Sequence, residues 1–180
     1  HTTSVTKLLI KLSLPATAAQ MVSALYSVVD RIYISRIPNI GADALAGLGV
    51  CFPLIMFNTA ICILIASGSS ALSTIKMGEG NNKDASKLLN GSFTLLIATG
   101  IVLMAVMYLF LSPMLMFFGG SNNTLPYAVE YMEIYLLGTV VGQISLGMNY
   151  FINSQGYARV GMISVLCGAI ANIVLDPILI

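Results

Sequence analysis

Charge is what this 180-residue sequence has least of. Asp, Glu, Lys and Arg make up 8% of it, against about 25% in soluble domains, while 57% is hydrophobic and the mean hydropathy is +0.91. That balance excludes a soluble core beneath a charged surface. Cysteine is scarce as well: Cys51, Cys62 and Cys167 are odd in number, far apart and set in apolar runs. They read as small buried side chains, not as a disulfide or zinc framework. Histidine occurs once, at His1, which offers no metal-binding cluster and, standing where Met is expected, reads as the start of a trimmed fragment. Gly78-x-Gly80 does not extend into a dinucleotide or phosphate-loop motif, so no nucleotide-driven motor is expected, and no nucleic-acid partner either. No cleavable signal peptide is visible in this sequence, because the first apolar stretch runs on too long for one.

What the chain does have is long uncharged segments. None of the four charged residue types occurs in 44–75, 88–129 or 134–158, and each stretch exceeds the ~20 residues that a helix needs to cross the hydrocarbon layer. Shorter uncharged segments, 12–29 and 160–175, are extended by apolar flanks beyond Asp30 and Asp176. Continuous apolar runs favour helices over a barrel, whose strands would be about ten residues long with alternating polarity. The sequence therefore predicts an all-α membrane protein with spans at 13–35, 44–74, 86–111, 126–150 and 158–180. Turn chemistry marks the joints: Pro38-Asn39-Ile40-Gly41, Gly78-Glu79-Gly80-Asn81-Asn82, Gly119-Gly120-Ser121-Asn122-Asn123 and Ser154-Gln155-Gly156. No joint is long enough to hold a soluble domain.

Charge asymmetry gives an orientation. With the N-terminus in the cytoplasm, Lys7, Lys11, Lys76, Lys83, Lys87 and Arg159 fall inside and Arg31 and Arg36 outside, as the positive-inside rule requires. Ile180 lies within apolar sequence, which predicts further spans in a larger parent.

Against this background two carboxylates stand out, Asp30 in the first span and Asp176 in the fifth. A charge at mid-membrane depth costs about 2.5–3.5 kcal/mol on insertion scales, so such residues usually face a polar cavity on an ion or substrate pathway. Asn172 precedes Asp176 by four residues, so both can lie on one helix face and offer an amide oxygen and a carboxylate to a single guest. Pro177 cannot donate an N–H, which frees the carbonyl of Ile173 one turn earlier as a further oxygen ligand or a kink. Oxygen-rich sites of this type suit a proton or a hard cation such as Na⁺. Burial and a second nearby carboxylate both disfavour the charged form, which favours proton uptake; a bound cation instead favours ionised carboxylates. The residues leave that choice open. They also leave plainer readings, with Asp30 pairing with Arg31 and Asp176 capping the outer end of its helix.

Three stretches together resemble the multidrug and toxic compound extrusion (MATE) transporter family. The first is Pro15 with 25–34 (Leu25-Tyr26-Ser27-Val28-Val29-Asp30-Arg31-Ile32-Tyr33-Ile34), followed by 44–49 and Pro53. The second is Met77-Gly78-Glu79-Gly80-Asn81 with Ala85, and the third is 149–156 with 168–178. The resemblance implies most of a six-helix N-terminal lobe, with five spans here and twelve helices in the parent. It implies secondary active export of cationic or other amphiphilic small molecules, in exchange for H⁺ or Na⁺, by alternating access in a bacterial cytoplasmic membrane. It further implies that Asp30, Asn172 and Asp176 meet as the ion-coupling site, with no cofactor beyond the coupling ion. One departure is Asn153, where the family often has a basic residue between the Asn and the Gly of the third stretch. A flippase for lipid-linked precursors is the near alternative, disfavoured by the scarcity of buried Lys and Arg. An intramembrane aspartate enzyme would need a reacting geometry that Asn-x-x-x-Asp-Pro does not suggest, and a passive scaffold would have no use for buried acids.

Overall fold

The computed structural model describes residues 5–179, without the side chains at 5–12, 15, 16, 26 and 172–179. Among the described residues seven helices follow one another: α1 (Val5–Ser35), α2 (Gly41–Gly78), α3 (Asn82–Leu109), α4 (Leu111–Phe117), α5 (Leu125–Leu137), α6 (Thr139–Ser154) and α7 (Ala158–Leu179). Among the described residues there is no strand.

The chain divides into two compact units, 1–38 with 152–180, and 39–151. In the first, α1 packs against α7. In the second, α2 packs against α3 and α5, and the short α4 closes on α5. Cys51 and Leu54 of α2, Met107 of α3, Leu111 and Leu115 of α4, and Ala128, Met132 and Leu136 of α5 form its buried core. Much of the remaining helix surface is apolar and exposed. In the most apolar stretch of α2 only 22% of residues are buried, and the same share holds for α3. Leu64, Ile134, Leu137 and Phe117 are each more than 70% exposed. The core helix of a soluble protein would be buried along such a stretch; apolar and exposed together is the pattern of helices that face lipid.

Three joints end the preceding helix in the same way, for the same chemical reason. At Gly80, Gly119 and Gly156 the backbone turns to φ of +77°, +100° and +87°, a left-handed conformation open to glycine. The glycine N–H then donates to the carbonyl three residues back, and the next N–H to the carbonyl five back, as in Tyr157 to Ile152 at 3.1 Å. This pair of bonds satisfies carbonyls that the helix end would otherwise leave open. On the other side of the first of these joints, Asn81 Oδ1 accepts from the Asp84 N–H at 3.2 Å and its Nδ2 donates to the Asp84 carboxylate at 2.8 Å, which caps α3.

Two stretches read from sequence as single spans are interrupted. The stretch 86–111 ends early, because Pro113 has no N–H for the Leu109 carbonyl, and the chain restarts as α4. The stretch 126–150 is divided at Gly138, whose N–H donates to the Tyr135 carbonyl three residues back at 3.1 Å. Thr139 Oγ1 competes for that carbonyl at 3.4 Å. Hydroxyl back-bonding of this kind bends helices, and the β-branched run Thr139-Val140-Val141 weakens the propensity to continue.

Candidate functional site

Asp30 lies on α1, five residues before its last residue, Ser35, and is half-buried and engaged with a partner. Asn172 and Asp176 lie on α7, whose last residue is Leu179. The two helices that carry these three residues pack against each other within one unit. The side chains of Asn172 and Asp176 fall outside the described residues, as does that of Pro177. Each acid is thus near the C-terminal end of its own helix, and those helices are neighbours.

The other unit holds polar groups that charge-based reading passes over. Gln143 on α6 is 2% exposed and Asn58 on α2 is 5% exposed. Gln143 Nε2 donates to Asn58 Oδ1 at 2.7 Å, and Thr99 Oγ1 of α3 donates to Gln143 Oε1 at 3.4 Å. The Cys62 thiol of α2 donates to the Gln143 carbonyl at 3.4 Å. Three helices are therefore joined by neutral hydrogen bonds. Glycine lets them approach: a Cβ at Gly100 would lie 3.2 Å from Gln143 Oε1 and 3.3 Å from the Val140 backbone, and one at Gly147 would strike the Leu96 side chain. Beside the amide pair, α2 and α5–α6 border an open cavity of about 330 Å³, lined in part by Asn58, Thr59, Tyr135, Gly138, Thr139 and Gln143. The break between α5 and α6 falls on its wall.

Charged side chains cluster instead at the joint between α2 and α3. Lys76 Nζ meets Glu79 at 2.7 Å and Lys87 Nζ meets Asp84 at 2.9 Å. The hydrogen bond from Lys87, then that from Asn81, holds the Asp84 carboxyl below its ordinary pKa. Lys76 is raised by its hydrogen bond and attraction to Glu79. Among the described residues no group of three His, Cys, Asp or Glu side chains could hold a metal ion.

The MatE family model matches residues 15–178. The chain belongs to the MatE family. This is the MATE family of multidrug efflux transporters, integral membrane proteins and not enzymes. Among its relatives, the FAD transporter of Shewanella oneidensis is 27% identical over 97% of this chain, and a probable multidrug resistance protein NorM of Pseudomonas syringae pv. tomato is 27% identical over 94%. The solved outward-facing multidrug resistance MATE transporter of the MOP superfamily superposes on 96% of the chain with a TM-score of 0.88 at 25% identity. The MATE multidrug transporter DinF-BH, solved in complex with rhodamine 6G, superposes on 97% with 0.90 at 29% identity. The chain spans 36–39% of the length of these proteins. Its helices are accordingly those of one lobe of a twelve-helix fold.

Proposed function

We propose that this chain acts as the N-terminal lobe of a two-lobe antiporter that exports organic cations and other amphiphilic compounds by alternating access, in exchange for H⁺ or Na⁺. Asp30, Asn172 and Asp176 form the ion site. The observation that carries this reading is the direct packing of α1 on α7, which puts the bearers of these residues side by side in a family of efflux transporters. A carboxylate on each helix, with an amide one turn from the second, offers the oxygen-rich surround that a proton or a small cation needs. Coupling then requires that the ion bind one conformation better than the other, because a ligand of equal affinity for both shifts nothing. Ion entry between α1 and α7 favours one arrangement of that pair, and release of the cargo accompanies it. The basic residues Lys76, Lys83, Lys87 and Arg159 support a cytoplasmic N-terminus in a bacterial cytoplasmic membrane.

The likeness to an FAD transporter brings a rival cargo, a flavin nucleotide, to the same machinery. One assay addresses both. The full-length transporter carrying this lobe, in proteoliposomes, is expected to move rhodamine 6G against its gradient when a proton or sodium gradient is imposed, and FAD in the same format tests the rival. Asp30→Asn and Asp176→Asn should each slow gradient-driven export at least tenfold. Export that keeps its ion dependence in both variants removes the ion site from these residues.

A further inference from the structure

The path of α5 and α6 along α2 carries a further inference, and it uses none of Asp30, Asn172 and Asp176. Two thiols of α2 mark the register. Cys51 Sγ donates to the Ala128 carbonyl of α5 at 3.5 Å, across 77 residues of sequence, and Cys62 Sγ donates to the Gln143 carbonyl of α6 at 3.4 Å, across 81. Relative to α2, α6 therefore lags α5 by four residues. At 3.6 residues per turn that is about one surplus turn, or about 6 Å of helix. A continuous helix lying along α2 would keep one register throughout, so the surplus is taken up at the interruption between Leu137 and Thr139. The open cavity flanks that point, with Tyr135, Gly138 and Thr139 on its wall.

A surplus turn gives α6 a second place to lie. When Gly138 joins the helix, α6 advances one turn along α2 toward the joint between α2 and α3, and each residue takes the place of the one four further on. Thr139, Gln143 and Gly147 share one buried face at that spacing. Thr139 then replaces Gln143 beside Asn58 and Thr99, and Gln143 replaces Gly147 beside Leu96 of α3. The atoms nearest a Cβ at Gly147 all belong to the Leu96 side chain, which can rotate away. Ser92 stands one turn before Leu96 on the same buried face of α3, about 6 Å along the axis. Its Oγ is the one fully enclosed side-chain polar atom without a hydrogen-bond partner among the described residues. A buried hydroxyl left open in this way calls for an explanation. The amide that leaves Asn58 arrives beside it.

We propose that α6 exchanges between two registers on α2: the present one, held by Gln143 on Asn58, and a second one turn on, held by Gln143 on Ser92, with Gly138 as the joint between them. Packed helices shift by whole turns because their ridges fit neighbouring grooves only at that spacing.

The test measures the register by double electron–electron resonance on the full-length transporter in lipid nanodiscs, with native cysteines replaced by alanine. Spin labels go on Ala46→Cys of α2 and Ser145→Cys of α6, both exposed positions. Two distance populations are expected, the second longer by about 5–6 Å. A control pair across α5, Ile75→Cys with Glu133→Cys, should give one. Ser92→Ala removes the second partner and should lower the longer population at least threefold. Gly138→Ala, whose Cβ would meet only the Tyr135 carbonyl oxygen at 3.5 Å, favours a continuous helix and should raise it at least threefold. A single distance that Gly138→Ala does not split overturns the proposal. So does a longer population that Ser92→Ala leaves unchanged, or the same split in the control pair.

Discussion

Polarity within the apolar helices takes two forms in this chain, and they fall in different units. The unit of α1 and α7 carries carboxylates, Asp30 and Asp176, within its helices, whereas the helices of the other unit meet through Asn58, Gln143, Thr99 and Cys62, all neutral. The physics of each explains the division. A neutral amide in hydrocarbon is stabilised by one good partner, and interhelical bonds of this type contribute about 0.6 kcal/mol on average and at most about 1.7. A carboxylate costs more in hydrocarbon than an amide does, and the role proposed for Asp30 and Asp176 is to hold an ion.

The comparison can be strained most severely at the closest backbone approach in the neutral unit. A Cβ at Gly47 would lie 3.0 Å from the Thr124 carbonyl oxygen and 3.2 Å from the Ala128 nitrogen, both backbone atoms that cannot rotate away, while one at Gly49 would meet nothing within 4 Å. Gly47→Leu should therefore force α2 from α5 and lower stability by about 1–3 kcal/mol or more, read as thermal melting in detergent. Gly49→Leu should leave melting unchanged.

Next in size is the amide pair. Gln143→Leu leaves Asn58 Oδ1 without its donor and should destabilise by about 1–3 kcal/mol. Adding Asn58→Leu should restore most of that loss, since both partners are then apolar. Asp30→Asn is expected to do the reverse of Gln143→Leu, leaving melting equal or higher while ion coupling fails. A drop in stability as large as that of Gln143→Leu would make Asp30 a structural residue and erase the contrast.

The smallest effect belongs to the charged joint between α2 and α3. Asp84 has a lowered pKa, so its pairing helps above the ordinary carboxylate range and fades as pH falls through the lowered value. Lys76 has a raised pKa, so its pairing is complete below the ordinary lysine range and fades as pH rises through the raised value. Both pairs are exposed, and solvent screens them. Lys87→Ala should leave melting unchanged within error between pH 6 and pH 8, on the order of two units around neutrality where neither group titrates.

Much of this was legible in the residues because the signals are one-dimensional. Long uncharged stretches mark α2 and α3, and Gly80, Gly119 and Gly156 mark the joints, because a left-handed turn needs glycine whatever the rest of the fold does. The acids drew notice because charge is so rare here. The break at Gly138 was hidden, since a glycine inside an apolar run is ordinary in membrane helices and the competing bond from Thr139 appears only in three dimensions. Asn58 and Gln143 were hidden for a similar reason. They stand 85 residues apart, and nothing in either neighbourhood distinguishes an amide that crosses to another helix from one that faces its own backbone. Spacing of two polar residues in an apolar run is the one signal that could have flagged them, and it does not name the partner.

The most direct test of the central claim measures the ion itself. Full-length transporter in proteoliposomes, preloaded with rhodamine 6G and given no imposed ion gradient, should drive uptake of H⁺ or Na⁺ as the dye leaves, followed by an entrapped pH dye or by radioactive sodium. The Asn58→Leu/Gln143→Leu protein should keep this exchange, and Asp30→Asn should abolish it. Ion uptake that persists in Asp30→Asn and Asp176→Asn, or that vanishes in the double amide variant while the protein remains folded, would contradict the assignment of coupling to α1 and α7.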